Sequence, residues 1–325
     1  MTAVRAGRRP EVSVVICAYT ERRWDDTLAA VASVAGQSYP PLETIIVVDH
    51  NPSLQARLAA ELPAVTVLRN SQPPGLSGGK NTGTQAARGD IIAFLDDDAT
   101  ASPDWLKFMV DSFGQDVAGV GGLTLPAWQT ARPAWFPGEF DWVVGCTYTG
   151  IAAPGGPVRN LLGGNASFRK EAFAVAGGFR SGIGRDGGGL PAGGEETEFC
   201  IRLRQRSPRA TLRFDHRAVI WHRVPDERSR LSYFLTRCYA EGLSKALVAG
   251  NVGAADGLSA ERRHALRALP AGAARGLADA VRGDPSGLGR AGAIVAGLAA
   301  CVAGYGTGRA RAKIRHRASE REGDR

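Results

Sequence analysis

The first hundred residues alternate short apolar runs with stretches of helical spacing. Val12 to Cys17 is β-branched, apolar and bounded by polar residues, the pattern of a strand buried on both faces. Thr44 to Val48 repeats that pattern and stops at Asp49. Val65 to Leu68 stops at Arg69 and Asn70, and Ile91 to Leu95 stops at Asp96, Asp97 and Asp98. Trp24 to Ala35 and Asn81 to Arg88 carry the helical period between them. Strand and helix in this order predict a mainly parallel α/β sheet. Polar residues recur where each strand ends (Thr20 and Glu21, Asp49, Asn70, Asp96 to Asp98), and such folds build their ligand crevice at that edge.

The pattern changes after about residue 125. Trp128 to Phe140 is rich in Trp, Pro and Phe, and Gly182 to Gly194 is a glycine-dense loop of the length used by lids and links. Glu196 to Arg206 has helical spacing with Phe199, Cys200, Ile201 and Leu203 as apolar positions, and Tyr233 to Lys245 is amphipathic with mixed charges. Nothing repeats internally.

Composition is that of an ordinary globular chain: 325 residues, 44% hydrophobic and 22% charged. The formal charge of +8 is unevenly placed. From Glu261 to Arg325 there are 13 Arg and Lys against 6 Asp and Glu, a difference of +7. The basicity belongs to the tail, which argues against a general nucleic-acid surface and leaves an acidic membrane surface or a basic flexible end. The expected division is a flexible basic N-terminus (1–10), a catalytic domain (11–250, with a nucleotide-binding half 11–125 and an acceptor half 126–250) and a helical, Ala/Gly/Arg-rich tail (251–325). Ala291 to Tyr305 is apolar but short of the ~20 residues a spanning helix needs. Flanked by Arg290, Arg309, Arg311 and Lys313, it reads equally as an interfacial helix or as a small-residue packing helix. Five scattered cysteines without a CxxC pair predict buried thiols of a reduced compartment, and Met1 to Pro10 shows no signal peptide. The expected location is cytoplasmic, at or near the inner face of the membrane.

Three consecutive aspartates at the end of an apolar run concentrate negative charge where a buried strand stops. Alternation along an extended segment would turn Asp96 and Asp98 to one side and Asp97 to the other, two hard oxygen donors suited to Mg²⁺ or Mn²⁺. The plain alternative is a solvated acidic loop. No GxGxxG follows the first strand, so a dinucleotide oxidoreductase is unsupported. Pro74 to Asn81 resembles a phosphate loop only superficially. Pro74 stands where its first glycine belongs, and Asn81, not Ser or Thr, follows Lys80.

Five segments in order then resemble one family. They are Val12 to Glu21, Val47-Val48-Asp49, Gly75 to Gly83, Phe94 to Asp98, and a second-half set. That set comprises Gly163-Gly164-Asn165-Ala166-Ser167-Phe168-Arg169, Gly177-Gly178-Phe179 and Gly194 to Leu203. Together they resemble the family 2 glycosyltransferases of GT-A fold over roughly residues 11 to 245.

The resemblance implies an inverting, metal-dependent transfer of a sugar from a nucleotide-diphosphate donor, with uracil the usual base, to a hydroxyl of a glycan, lipid-linked or small-molecule acceptor. It places Ala18, Tyr19, Glu21 and Asp49 at the nucleoside, Asp96 at ribose or sugar hydroxyls with Asp97 beside it, and Lys80 near a phosphate. Gly164 and Asn165 would approach the donor sugar. Asp98, with Asp96 and His222, would hold Mn²⁺ or Mg²⁺; His222 also reads as an ordinary structural histidine. Arg223 is a candidate partner for the diphosphate. The family's Glu-Asp pair is Glu195-Glu196 in this chain, so Glu196 takes the role of base with Glu195 beside it, and the extra methylene leaves either able to serve. Acids in a first helical turn also stabilise the helix by themselves. The rival readings are a sugar nucleotidyltransferase and a non-catalytic sugar-nucleotide-binding scaffold.

Overall fold

The computed structural model describes residues 8–151, 155–183 and 193–323. The first part of the chain runs β1 (Val12–Ala18), α1 (Trp24–Ala35), β2 (Glu43–Val48), α2 (Pro52–Glu61), β3 (Thr66–Arg69), α3 (Leu76–Ala86), β4 (Ile91–Asp96), β5 (Ala99–Ala101) and α4 (Trp105–Asp111). It continues through β6 (Val117–Trp128), β7 (Asn165–Arg169), α5 (Lys170–Ala176), α6 (Glu195–Arg206), β8 (Thr211–Val224) and α7 (Leu231–Val252). The extension comprises α8 (Ala254–Gly257), α9 (Ser259–Arg263), a π-helical turn His264–Ala268, α10 (Leu269–Val281) and α11 (Ser286–Gly323).

All eight strands form one mixed sheet in the order β3-β2-β1-β4-β7-β6-β8-β5. β3, β2, β1 and β4 are parallel neighbours, and β7 runs antiparallel to both β4 and β6. β8 is parallel to β6, with the pairing shifted between Gly122 and Leu123. The alternation expected of doubly covered strands is explicit. Val14, Ile16, Ile46, Ala93 and Leu95 enter one core cluster, while Val15, Ile45, Val47, Ile92 and Phe94 enter the cluster on the opposite face. Strand order reverses beside β1, so the carboxyl ends of β1, β2 and β4 open the crevice that this topology leaves for a ligand.

Two sequence expectations change. The helix expected at Asn81 begins at Leu76 and takes in Gly78 and Gly79. A Cβ on Gly83 would stand 2.4 Å from Val15 Cγ1, one on Gly79 would stand 3.1 Å from Cys17 Sγ, and one on Gly78 would stand 2.1 Å from the Pro73 carbonyl. The glycine-rich run is therefore a helix packed on β1, not a phosphate loop.

The apolar stretch Ala291 to Tyr305 is likewise part of one 38-residue helix. Its segment Ser286–Ile314, 29 residues, contains an 18-residue stretch of mean hydropathy 1.5, long and apolar enough to cross a membrane by length and composition, with 33% of that stretch buried in the protein. Small residues set its packing. A Cβ on Gly242 would meet the Cys301 carbonyl at 2.1 Å, and one on Gly304 would meet the Tyr239 carbonyl at 2.0 Å, so α7 and α11 lie backbone to backbone. A third core of Phe136, Phe140, Val224, Phe234, Leu269 and Ile294 joins these helices to the β6–β8 side of the sheet.

The described cysteines are free thiols; Cys146, Cys200 and Cys238 are buried, and Cys17 and Cys301 partly so.

Candidate active site

The carboxyl edge of the sheet opens into a cavity of about 1210 Å³, bounded on one side by the ends of β1, β2 and β4 and on the other by α7 and the extension helices. At its floor β4 ends at Asp96, and the chain turns through Asp97 and Asp98 before β5 pairs with β8. That pairing sets Ala99 opposite His222. His222 Nε2 lies 3.2 Å from Asp98 Oδ1 and 3.9 Å from Asp96 Oδ2. One ligand atom from each of Asp96, Asp98 and His222 falls within 4.8 Å of the others.

Asp97 turns away from them, 2.5 Å from Arg23 Nη1, while Arg23 Nη2 lies 3.0 Å from Asp98 Oδ2 and Arg228 Nη2 3.7 Å from the same oxygen. Asp96 and Asp98 thus share a side as expected, and Asp97 is bound into the wall. Burial pushes Asp97 up to about 7, Arg23 pulling the other way and the Asp98 and Asp96 charges adding to the rise. Burial would raise Asp98 too, but His222, Arg23 and Arg228 outweigh it and hold that carboxyl well below the usual range.

Two carboxylates and an imidazole form an oxygen-rich set of the kind that suits Mn²⁺. Asp98 Oδ1 faces His222 while its other oxygen is held by arginines, and His222 Nδ1 is buried without a protein partner. The donor set fits a divalent cation.

The second centre is built at the start of α6. Gly194, at φ 112°, turns the chain into the helix, and the next two residues are Glu195 and Glu196. Both carboxylates meet the ammonium of Lys80, which contacts Glu196 Oε1 directly and lies 3.8 Å from Glu195 Oε1. Lys80 is 2% exposed and rests over the rings of Phe94 and Phe179, so its buried charge depends on this acidic pair for direct ion-pair contact. Burial would lower the Lys80 pKa, but Glu196, Glu195 and Asp96 raise it. Burial and the neighbouring Glu196 push Glu195 up to about 8, against the pull of Lys80. Glu196 is also penalised by burial, yet Lys80 outweighs this and holds it below the ordinary carboxylate range.

Gly163 and Gly164 join the two centres. A Cβ on Gly163 would fall 1.6 Å from Glu196 Oε1, and one on Gly164 would fall 2.0 Å from Asp96 Oδ2. Each carboxylate therefore lies in the space a side chain would fill, and adjacent Cα atoms are ~3.8 Å apart. The glutamate and aspartate centres are brought together across one glycine pair.

Tyr19, Ala18 and Asp49 also line the cavity. Asp49 already accepts from Asn70 Nδ2 (2.7 Å) on one oxygen and from the Gly75 N–H (2.9 Å) on the other, so a ligand would share it.

Four expected contacts fall elsewhere. Asn165 is fully buried: its Oδ1 accepts from Trp105 Nε1 at 2.8 Å and its Nδ2 donates to the Ala218 carbonyl at 3.3 Å, tying β7 to α4 and β8. Glu21 accepts from Asn51 and Ser53 and braces the start of α2. Lys80, expected beside a phosphate, contacts Glu196 and is not among the residues that line the cavity. Arg223 points to Asp26 (2.7 Å), because alternation along β8 turns it opposite to His222. Most of the glycine-dense loop Gly182 to Gly194 lies outside the described residues.

Arg23 and Arg228 are cavity-lining cations that the sequence did not single out. The only signal for them was the need of three adjacent acids for compensating charge.

The mixed eight-stranded sheet, with its cavity at the switch-point edge, has the GT-A architecture of glycosyltransferases. The chain belongs to glycosyl transferase family 2, whose profile matches residues 13–176. It is similar to the glucosyl-dolichyl phosphate glucuronosyltransferase of Haloferax volcanii, 33% identical over 243 residues, covering 73% of this chain and 77% of the relative. The succinoglycan biosynthesis protein ExoM of Rhizobium meliloti is 25% identical over 269 residues, covering 79% of this chain and 77% of that protein. Among solved structures, the mannosyltransferase PcManGT from Pyrobaculum calidifontis, in complex with GDP-Man and Mn²⁺, superposes with a TM-score of 0.54 at 18% identity. That superposition covers 90% of this chain and 87% of the other, and it supports the fold.

Proposed function

We propose that the protein inverts the anomeric centre of a nucleotide-diphosphate sugar, most suitably a UDP-sugar, as it transfers the sugar to a hydroxyl of a glycan or lipid-linked acceptor. The observation that carries this reading is the pair of carboxylates packed on Gly163 and Gly164. Glu196 stands on one side of that glycine pair and the Asp96–Asp98–His222 cluster on the other. An inverting displacement needs a proton acceptor on the attacking face and charge stabilisation on the departing face.

Glu196 is the base in this reading. Lys80 keeps it ionised at neutral pH, so its carboxylate, which lines the cavity, can take the acceptor hydroxyl's proton as that hydroxyl oxygen attacks. Glu195, pushed up by burial, holds its own proton and does not compete. The glycines leave the sugar ring room to approach the backbone. On the departing side Arg23 and Arg228 border the cluster and supply positive charge near the diphosphate. A divalent cation held by Asp98, Asp96 and His222 would supply Lewis-acid stabilisation of the departing diphosphate. Tyr19 and Asp49 are the nucleoside contacts.

The similarity to a glucosyl-dolichyl phosphate glucuronosyltransferase supports a uronic acid donor and a lipid-linked acceptor, at the membrane face to which the basic tail is suited. A sugar nucleotidyltransferase would need a triphosphate-binding loop after β1, and Ala18 to Glu21 offers none.

A thermal-shift panel of nucleotide sugars with and without Mn²⁺ tests the donor half. A Mn²⁺-dependent rise in Tm with one UDP-sugar is expected, and no shift with any nucleotide sugar would refute it.

A further inference from the structure

The cavity is larger than the ~300–1,000 Å³ of a site for one small molecule. The donor reading uses only its strand-edge half. The other half is walled by helices, each presenting one face. Leu258, Arg262, Ala265 and Leu269 follow helical spacing through α9 and α10, and Leu298, Cys301, Val302 and Tyr305 do so on α11.

The charges on the α7 side of this wall are largely spent on each other. Arg237 and Glu241 (2.8 Å), Glu241 and Lys245 (3.1 Å), Lys245 and Glu261 (2.8 Å) and Glu261 with Arg159 form a continuous chain of ion pairs. Arg230 and Arg262 also line the cavity, and among the described residues neither has a carboxylate partner. Leu258, Leu269, Leu298 and Val302 offer no hydrogen-bonding group, so a second sugar chain lying against them would leave its hydroxyls unsatisfied. Val302 is 63% exposed while lining the cavity, and it continues an exposed apolar row on α11 with Val295 and Leu288 at intervals of seven. The apolar end therefore opens onto an apolar outer face.

We propose that this helical end is the tail site for an amphiphilic acceptor. Its long apolar chain lies against Leu269, Leu298 and Val302, its linking phosphate is held by Arg230 and Arg262, and its sugar hydroxyl is carried to Glu196. The assignment of the sugar hydroxyl rests on the transferase reading. The tail and phosphate contacts do not.

The test measures binding of ω-bromoalkyl phosphates of four, eight and twelve carbons, below their micelle concentrations and without nucleotide, by quenching of tryptophan fluorescence. Trp142 lines the cavity, and Trp142→Phe identifies its share of the signal. Affinity is expected to rise about two- to four-fold per methylene buried. Val302→Asp, at an exposed position, should weaken the twelve-carbon ligand at least ten-fold and leave the four-carbon ligand unchanged. Arg262→Gln should weaken all three by a similar factor. Affinity that ignores chain length, or that Val302→Asp leaves unaltered, overturns the proposal. Because no sugar transfer is needed, a protein that binds the twelve-carbon phosphate but turns over no nucleotide sugar would fail the transferase reading alone. One that glycosylates a methyl glycoside as well as a dodecyl glycoside and ignores alkyl phosphates would fail this one alone.

Discussion

Replacing Lys80 with methionine isolates the role of the buried ammonium. Methionine, one atom shorter, keeps an unbranched apolar chain at this position but removes the ammonium that lies over Phe94 and Phe179, touches Glu196 and stands 3.8 Å from Glu195. At an effective dielectric constant of about 20, a charge pair about 4 Å apart is worth about 4 kcal/mol. At 1.36 kcal/mol per pH unit, that moves the apparent pKa of the acidic pair by about two to three units. The sign follows from the charge: Lys80 favours ionised Glu196, so its loss raises the pKa from below the ordinary carboxylate range toward neutrality. Initial rates of nucleoside diphosphate release from pH 5 to 10 should show the acid limb of kcat/KM moved upward by about that amount. Activity near pH 5 should fall about 10- to 10²-fold, and most of the deficit should be gone by about pH 8. A loss of equal size at every pH, with a raised KM for the donor, would refute this reasoning and return Lys80 to the phosphate.

Glu195→Gln should change how stability depends on pH. The folded Glu195 has its pKa pushed up to about 8, above the 4.5 of the free side chain, so the native state holds the extra proton between those values and wild-type stability falls as pH rises through that window. The advantage of Glu195→Gln in urea unfolding should therefore grow from pH 5 to pH 9, and a constant difference would count against it. Gly164→Ala must displace the Asp96 carboxylate, and kcat/KM should fall about 10²-fold while the protein stays folded by circular dichroism. Asp98→Asn and His222→Ala should each abolish the Mn²⁺-dependent thermal shift, and a shift of wild-type size in either would remove that residue from the ligand set. Asn165→Ala should cost about 1–3 kcal/mol of stability by leaving Trp105 Nε1 unpaired, with KM for the donor unchanged.

The strands were legible because burial on both faces writes itself as uninterrupted β-branched runs, and β1, β2 and β4 lie within a residue or so of those runs. The start of α3 was hidden, since Gly78 and Gly79 are poor helix formers and are helical because β1 needs a surface without side chains. The family motifs named the acids but not their partners. Lys80 reaches Glu196 across 116 positions and Arg23 reaches Asp97 across 74, and no local spacing encodes either contact. Asn165 stands in a motif beside the cleft, yet alternation on β7 turns its side chain into the core. The extent of α11 was masked by composition, because its small residues lower the apolar signal while they set the close packing on α7.

The most direct measurement follows the anomeric proton of the product by NMR. Wild type, Glu196→Gln and Glu195→Gln are each incubated with the nucleotide sugar selected by thermal shift, Mn²⁺ and a hydroxyl acceptor. The predicted result is a product of inverted configuration formed with release of nucleoside diphosphate, lost in Glu196→Gln by at least about 10²-fold and retained in large part by Glu195→Gln. A product of retained configuration, or full activity in Glu196→Gln, would contradict the assignment of Glu196 as the base.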